Sequence, residues 1–130
     1  MGGAMNRRTP KPTDAELEIL QVLWRLGPCT VKRVQEALGR ETGYTTALKF
    51  LQIMTEKGLV RRDESERAHI YEAVCSKEAT QRQLLAGLLK RAFAGSTSQL
   101  VMQALAANRA TPRELEEIKA LLNKLAREEK

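Results

Sequence analysis

Tyr44, Thr45, Thr46, Leu48 and Lys49 are the side chains whose types and spacing suit recognition chemistry. They open the stretch 43–60, which reads as one helix stopped by Gly58 and followed directly by a strand. Ala47, Phe50, Leu51 and Met54 recur at helical spacing and are expected to face a core. Thr45, Lys49 and Gln52 then fall on the outer side. Hydroxyls, an amide and one ammonium on the outer face of a helix are groups that a DNA major groove accepts. Arg61, Arg62 and Arg67 follow in a stretch that alternates like a hairpin. Guanidinium groups there can meet phosphates, which positions a protein on DNA without reading its sequence.

Other chemistries find little support. His69 is the only histidine, and no carboxylate or cysteine stands beside it at ligand spacing. Cys29 and Cys75 are far apart, with no CxxC or CxC pattern. They read as packing residues in a reducing compartment. No nucleophile–base pair and no Gly-rich phosphate loop occurs. Neither an enzyme, a metal site nor a cofactor is expected.

The elements that must position the outer-facing groups can be read in chain order. Residues 1–12 hold prolines and glycines without an apolar period and read as a flexible tail, whose Arg7, Arg8 and Lys11 could touch phosphates. Thr13 and Glu16 have capping-box spacing. The apolar stripe Leu17, Ile19, Leu20, Val22, Leu23 and Leu26 follows on a helix stopped by Gly27-Pro28, with Trp24 as a core anchor. Cys29-Thr30-Val31 is short and extended, and Thr30 can cap a helix from Val31 to about Leu38. Gly39 ends it, residues 40–43 connect, and the outer-facing helix comes next. That succession is a helix-turn-helix. Residues 59–64 and 69–74 read as paired strands around the turn 65–68. A hairpin directly after such a helix is a wing, with Tyr71 filling its junction with the helices.

The totals agree. The 130-residue chain carries a formal charge of +6, which suits a nucleic-acid binder. The net charge is +2 over residues 1–75 and +4 over 76–130, with no long basic tail. No signal peptide and no membrane-length apolar run is visible. Gly2 suggests myristoylation only weakly, because Asn6 stands where Ser or Thr is wanted. A cytoplasmic protein is expected.

Beyond residue 75 the pattern is helical. Ser76 can cap a helix over 77–94 with Leu84, Leu85, Leu88, Leu89 and Phe93 on its apolar face and Gly95 as its stop. Ser96 opens a shorter helix carrying Leu100, Val101, Met102 and Leu105. Thr111-Pro112-x-Glu114 is a helix start. Leu115, Ile118, Leu121, Leu122 and Leu125 then repeat close to a heptad. About 55 residues in three amphipathic helices can form a small bundle or bury their faces against a second copy. A dimer has a motive, since it doubles the contact area of a winged helix on DNA.

These motifs together resemble the penicillinase-repressor (BlaI/MecI-type) family of bacterial winged-helix regulators. The resemblance runs from Thr13 nearly to Lys130. It is carried by the run 13–20 with Leu23-Trp24, by 43–60, and by Arg67-Ala68-His69-Ile70-Tyr71. The turn Phe93-Ala94-Gly95-Ser96 and the run 114–118 with Leu121-Leu122 complete it. It implies a mainly α fold with a small β-hairpin: a winged helix-turn-helix domain over 13–75 and a helical dimerisation region over 76–130. It also implies a homodimeric transcriptional repressor on palindromic operator DNA with TACA and TGTA elements. Base contacts carried over from the family fall on Thr45, Thr46 and Leu48, with Tyr44 and Lys49 alongside; Arg61 and Arg67 remain wing residues placed to reach the DNA backbone. Dimer contacts fall on Leu84, Leu85, Leu88, Phe93, Leu100, Val101, Leu115, Ile118, Leu122 and Leu125.

In the β-lactamase regulators of that family, a membrane metalloprotease sensor triggers cleavage within the penultimate helix. The cleaved bond follows an Asn and precedes a Phe. Here Gln103-Ala104 occupies the matching run, a departure from the family pattern. The copper-sensing branch carries a C-terminal CxC, and this chain has no cysteine after Cys75. Two rival readings compete with the repressor: a ligand-sensing winged-helix regulator, and a winged helix used only for protein contacts without DNA binding.

Overall fold

A computed structural model describes residues 10–129. Gly2, Asn6, Arg7 and Arg8, with most of the expected tail, lie outside the described residues. Lys11 is exposed, whereas Pro12 is already buried.

Helix α1 (Asp14–Leu26) starts on a capping box. Thr13 Oγ1 accepts from the Glu16 amide at 3.2 Å, and the Thr13 amide donates to Glu16 Oε1 at 2.9 Å. Strand β1 (Cys29–Thr30) leads into α2 (Val31–Leu38), with Thr30 as its side-chain cap. Helix α3 (Tyr44–Lys57) ends at Gly58, which is left-handed at φ 83°. The Leu59 amide donates to Met54 O at 2.9 Å and the Gly58 amide to Thr55 O at 3.1 Å. These two bonds satisfy carbonyls that the helix end would otherwise leave bare.

Strands β2 (Val60–Asp63) and β3 (Ile70–Ala73) pair antiparallel. The hairpin expected from alternation is therefore present, but β1 adds a third strand in the order β1-β3-β2. Cys29 pairs with Tyr71 and Thr30 with Ile70. This sheet fastens the wing to the entry of α2.

The core lies among α1, α2, α3 and the sheet. Ile19, Leu20, Val34, Leu51, Met54 and Val60 are buried in it, together with Tyr71 at 1% exposure. Phe50 was expected inward but is only half-buried, packed at the edge. At about 100° per residue it lies well off the line through Ala47, Leu51 and Met54. Trp24 packs against the core, and its indole Nε1 donates to Cys75 O at 3.0 Å. That bond ties α1 to the residue before the Ser76 cap. Cys29 and Cys75 are not joined in a disulfide.

One charged residue sits inside. Glu16 is 3% exposed, and Lys57 Nζ reaches its two oxygens at 2.7 and 3.0 Å. Burial pushes the Glu16 carboxyl up. The Lys57 ammonium and the Thr13 bonds outweigh it, and the net pKa is lowered. The pair links the start of α1 to the end of α3.

Helices α4 (Lys77–Phe93), α5 (Thr97–Ala107) and α6 (Pro112–Glu128) follow. Ser76 Oγ accepts from the Ala79 amide at 3.0 Å. Thr111 and Glu114 form a second reciprocal capping box, with Pro112 in the first turn. The stop of α4 differs from the reading that gave it to Gly95 alone: Ala94 takes φ 49° before Gly95 takes φ 81°. Left-handed alanine crowds its Cβ against the following carbonyl. An Ala94→Gly variant is expected to gain up to about 1 kcal/mol, the relief being offset partly by a freer unfolded chain. A melting temperature that falls on this change would contradict the strain.

The chain divides into two compact units between Leu85 and Ala86, inside α4. Within the second unit, no described side chain is buried. Among the described residues no helix is long and apolar enough to cross a membrane.

Candidate nucleic-acid interface

The outer-facing helix is fixed from behind and left open in front. Ala47, Leu51 and Met54 have no exposed surface, so the rotation of α3 is set by its apolar face. Tyr44, Thr45, Thr46 and Lys49 are all exposed as a consequence. Gly43 precedes them with no side-chain cap. The first-turn amides of α3 therefore have no side-chain cap from Gly43, and a helix start of that kind favours anions.

The structure sorts the expected readers onto two surfaces. Tyr44 and Leu48 line a groove of about 390 Å³ with Thr30, Val31, Lys32 and the wing residues Arg67, Ala68 and His69. Thr45, Thr46 and Lys49 line a second, slightly smaller depression of about 350 Å³ with Phe50 and Ile53. Leu48 is half-buried and packs against the core. One side of it is scaffold, whatever its other side meets.

Lys32 and His69 were not among the expected contacts. Lys32 is the second residue of α2, and nothing in its local sequence shows that it shares a groove with the wing. His69 stands one residue before β3. Among the described residues no cluster of His, Cys, Asp or Glu could hold a metal ion.

The wing arginines differ in their engagements. Arg61 Nε donates to Glu72 Oε1 at 2.8 Å, across the pair set by the strand register. Arg62 lies 2.6 Å from Glu64 Oε2. A hydrogen bond to Tyr71, then the Glu64 charge, raises the Arg62 pKa. Arg62 thus has two partners, one of them the buried Tyr71. Asp63 accepts from the Ser65 amide at 2.9 Å. That bond holds its carboxyl below the usual range and shapes the turn. Arg67 enters no ion pair with another described residue and stands in the Tyr44 groove.

The residues expected to make dimer contacts all lie on α4, α5 and α6. Leu85, Leu88, Val101, Leu115, Leu122 and Leu125 are exposed. Leu84, Phe93, Leu100 and Ile118 are half-buried. Along α6 the leucines keep the spacing of a packing seam.

Comparison with known proteins agrees with this architecture. The model of the penicillinase repressor family matches residues 12–124. The transcriptional regulator BlaI of Mycobacterium tuberculosis is 38% identical over 84 residues, which cover 62% of this chain and 58% of that protein. The match thus spans less than two thirds of that relative's length. A MarR family protein from Bacillus stearothermophilus has 20% identity and a TM-score of 0.52, covering 92% of this chain and 76% of its own. A structure described as the complex of hsRosR-S4 has 16% identity and a TM-score of 0.52, covering 94% and 96%. At these identities the two structural likenesses concern the fold.

Proposed function

We propose that this chain, which belongs to the penicillinase repressor family of transcriptional regulators, represses transcription as a homodimer on a palindromic operator. Residues 13–75 are the DNA-binding domain and residues 76–130 the dimerisation region. The α3 of each protomer enters a major groove. Thr45, Thr46 and Lys49 face base edges, and Tyr44 and Leu48 stand beside the wing. Two copies would set the reading helices about one helical turn or a multiple of it apart, the geometry that a two-fold operator needs. An operator overlapping a promoter would exclude polymerase. The protein acts in the cytoplasm, where such DNA lies.

The observation that most supports this reading is the groove in which the start of α3 faces Arg67 across its opening. A duplex lying over α3 would bring a phosphate to the wing at that point. Release would follow from loss of the dimer. A membrane metalloprotease sensor, or an effector of one, would achieve this by cutting α5, where Gln103 and Ala104 are exposed. Such a protease would accept a Gln–Ala bond.

The experiment is a salt titration of binding to DNA upstream of the protein's own gene. Affinity should fall steeply as salt rises, because each neutralised phosphate releases counterions. An Arg67→Ala variant is expected to bind more weakly on every sequence and to lower the slope by about one per wing. Affinity that is indifferent to salt would refute phosphate anchoring. An unshifted promoter fragment would favour a winged helix that binds only proteins.

A further inference from the structure

The wing carries its own counter-charges. Asp63, Glu64 and Glu66 stand between Arg62 and Arg67, and Glu72 follows on β3. Tyr71 is buried and its register partner is Arg62, so that pair takes the inner face of the sheet. Arg61 and Glu72 are the next pair along and therefore share the outer face. Their side chains are 67% and 40% exposed, yet Arg61 Nε stays 2.8 Å from Glu72 Oε1. An outward-facing guanidinium of the wing is thus occupied by a carboxylate.

We infer that Glu72 is a positioning residue that holds the Arg61 guanidinium off the DNA backbone and so limits how tightly the protein holds DNA of any sequence. This rests on the DNA-binding reading above. A carboxylate and a phosphate both accept from the planar fork of a guanidinium and compete for it. Ion pairs this exposed open readily, so the competition is reversible and depends on salt. Arg62 is not available in the same way, because Tyr71 and Glu64 hold it. Arg67 has no such partner among the described residues and would remain the wing's standing phosphate contact. Glu72 would then set whether each wing makes one backbone contact or two. Weak backbone binding favours release from the many unrelated sites that compete with an operator.

The test compares wild type, Glu72→Gln, Arg61→Ala and the double variant of the full chain. Each binds a fluorescent random-sequence duplex and the protein's own upstream DNA over a salt series. Glu72→Gln should raise affinity for the random duplex about 3- to 10-fold. It should also steepen the salt slope by about one per wing, one further phosphate contact. In the Arg61→Ala background the same change should do neither. A wild-type affinity and slope in Glu72→Gln overturns the inference alone. An equal rise in the Arg61→Ala background also overturns it, because Glu72 would then act by plain repulsion of DNA. A wild type that binds neither DNA overturns the DNA-binding reading and this inference with it. The fluorescence of Trp24, the single tryptophan, checks that each variant has kept its fold.

Discussion

Replacing Leu122 and Leu125 together by aspartate is expected to leave a monomer that binds the operator at least about 30-fold more weakly. Both side chains are exposed on α6 and lie three residues apart. Burying a leucine gains about 1.5–3 kcal/mol, and a charge forced into such a seam forfeits more. A specific site is typically favoured over random DNA by about 4–10 kcal/mol. Loss of one half-site removes about half of that, about 2–5 kcal/mol, hence the 30-fold lower bound. Neither leucine belongs to the core of the first unit, which runs through Ile19, Leu51 and Tyr71. Trp24 fluorescence should therefore stay native while sedimentation shows the smaller species. A double variant that remains dimeric would move the interface away from α6.

The second large effect is on folding. Lys57→Met should cost about 1–3 kcal/mol at neutral pH. Stranding one partner of a fully buried pair costs about 3–5 kcal/mol, and the 30% exposure of the Lys57 side chain reduces this. The pH dependence distinguishes this cause from lost packing. The Glu16 carboxyl is lowered in the folded protein. Its stabilisation is therefore complete above the ordinary carboxylate range, and it is lost as the pH falls through the folded value. Without Lys57, burial acts on Glu16 with less to oppose it, and the folded carboxyl should take up its proton more readily. The stability gap between wild type and Lys57→Met should close as the solution is acidified. Denaturant unfolding at several pH values measures it. A gap that is the same in acid and at neutrality would assign the loss to packing.

Glu16 also shows what a sequence can reveal. Thr13 and Glu16 lie three residues apart, and their capping box was legible because both partners are local. The same holds for Thr111 with Glu114, for Thr30, and for Gly58 at the end of α3. The heptad-like leucines of α6 were legible from period alone. The partner of Glu16 was not, because Lys57 is 41 positions away. The pairing of Arg61 with Glu72 depends on strand register, which alternation does not fix. The third strand is two residues long, too short to carry a period. The site followed the same division. The exposed first turn of α3 was legible from helical spacing. Its partition between a wing-side groove and a second, smaller depression was not, nor was the arrival of Lys32 and His69 beside Tyr44. Helical spacing leaves Leu48 either on a thymine methyl or against the preceding helix; it is half-buried and shares its groove with Val31 of α2 and with Tyr71.

The most direct test of the central claim is hydroxyl-radical footprinting of the intact protein on the DNA upstream of its own gene. A symmetric dimer should protect two equivalent segments related by a two-fold axis. Their centres should lie about one helical turn or a multiple of it apart, and the Leu122→Asp, Leu125→Asp variant should lose the paired pattern at the same concentration. A single protected segment without two-fold symmetry, or no protection at low salt, would contradict a dimeric repressor that reads its operator with two copies of α3.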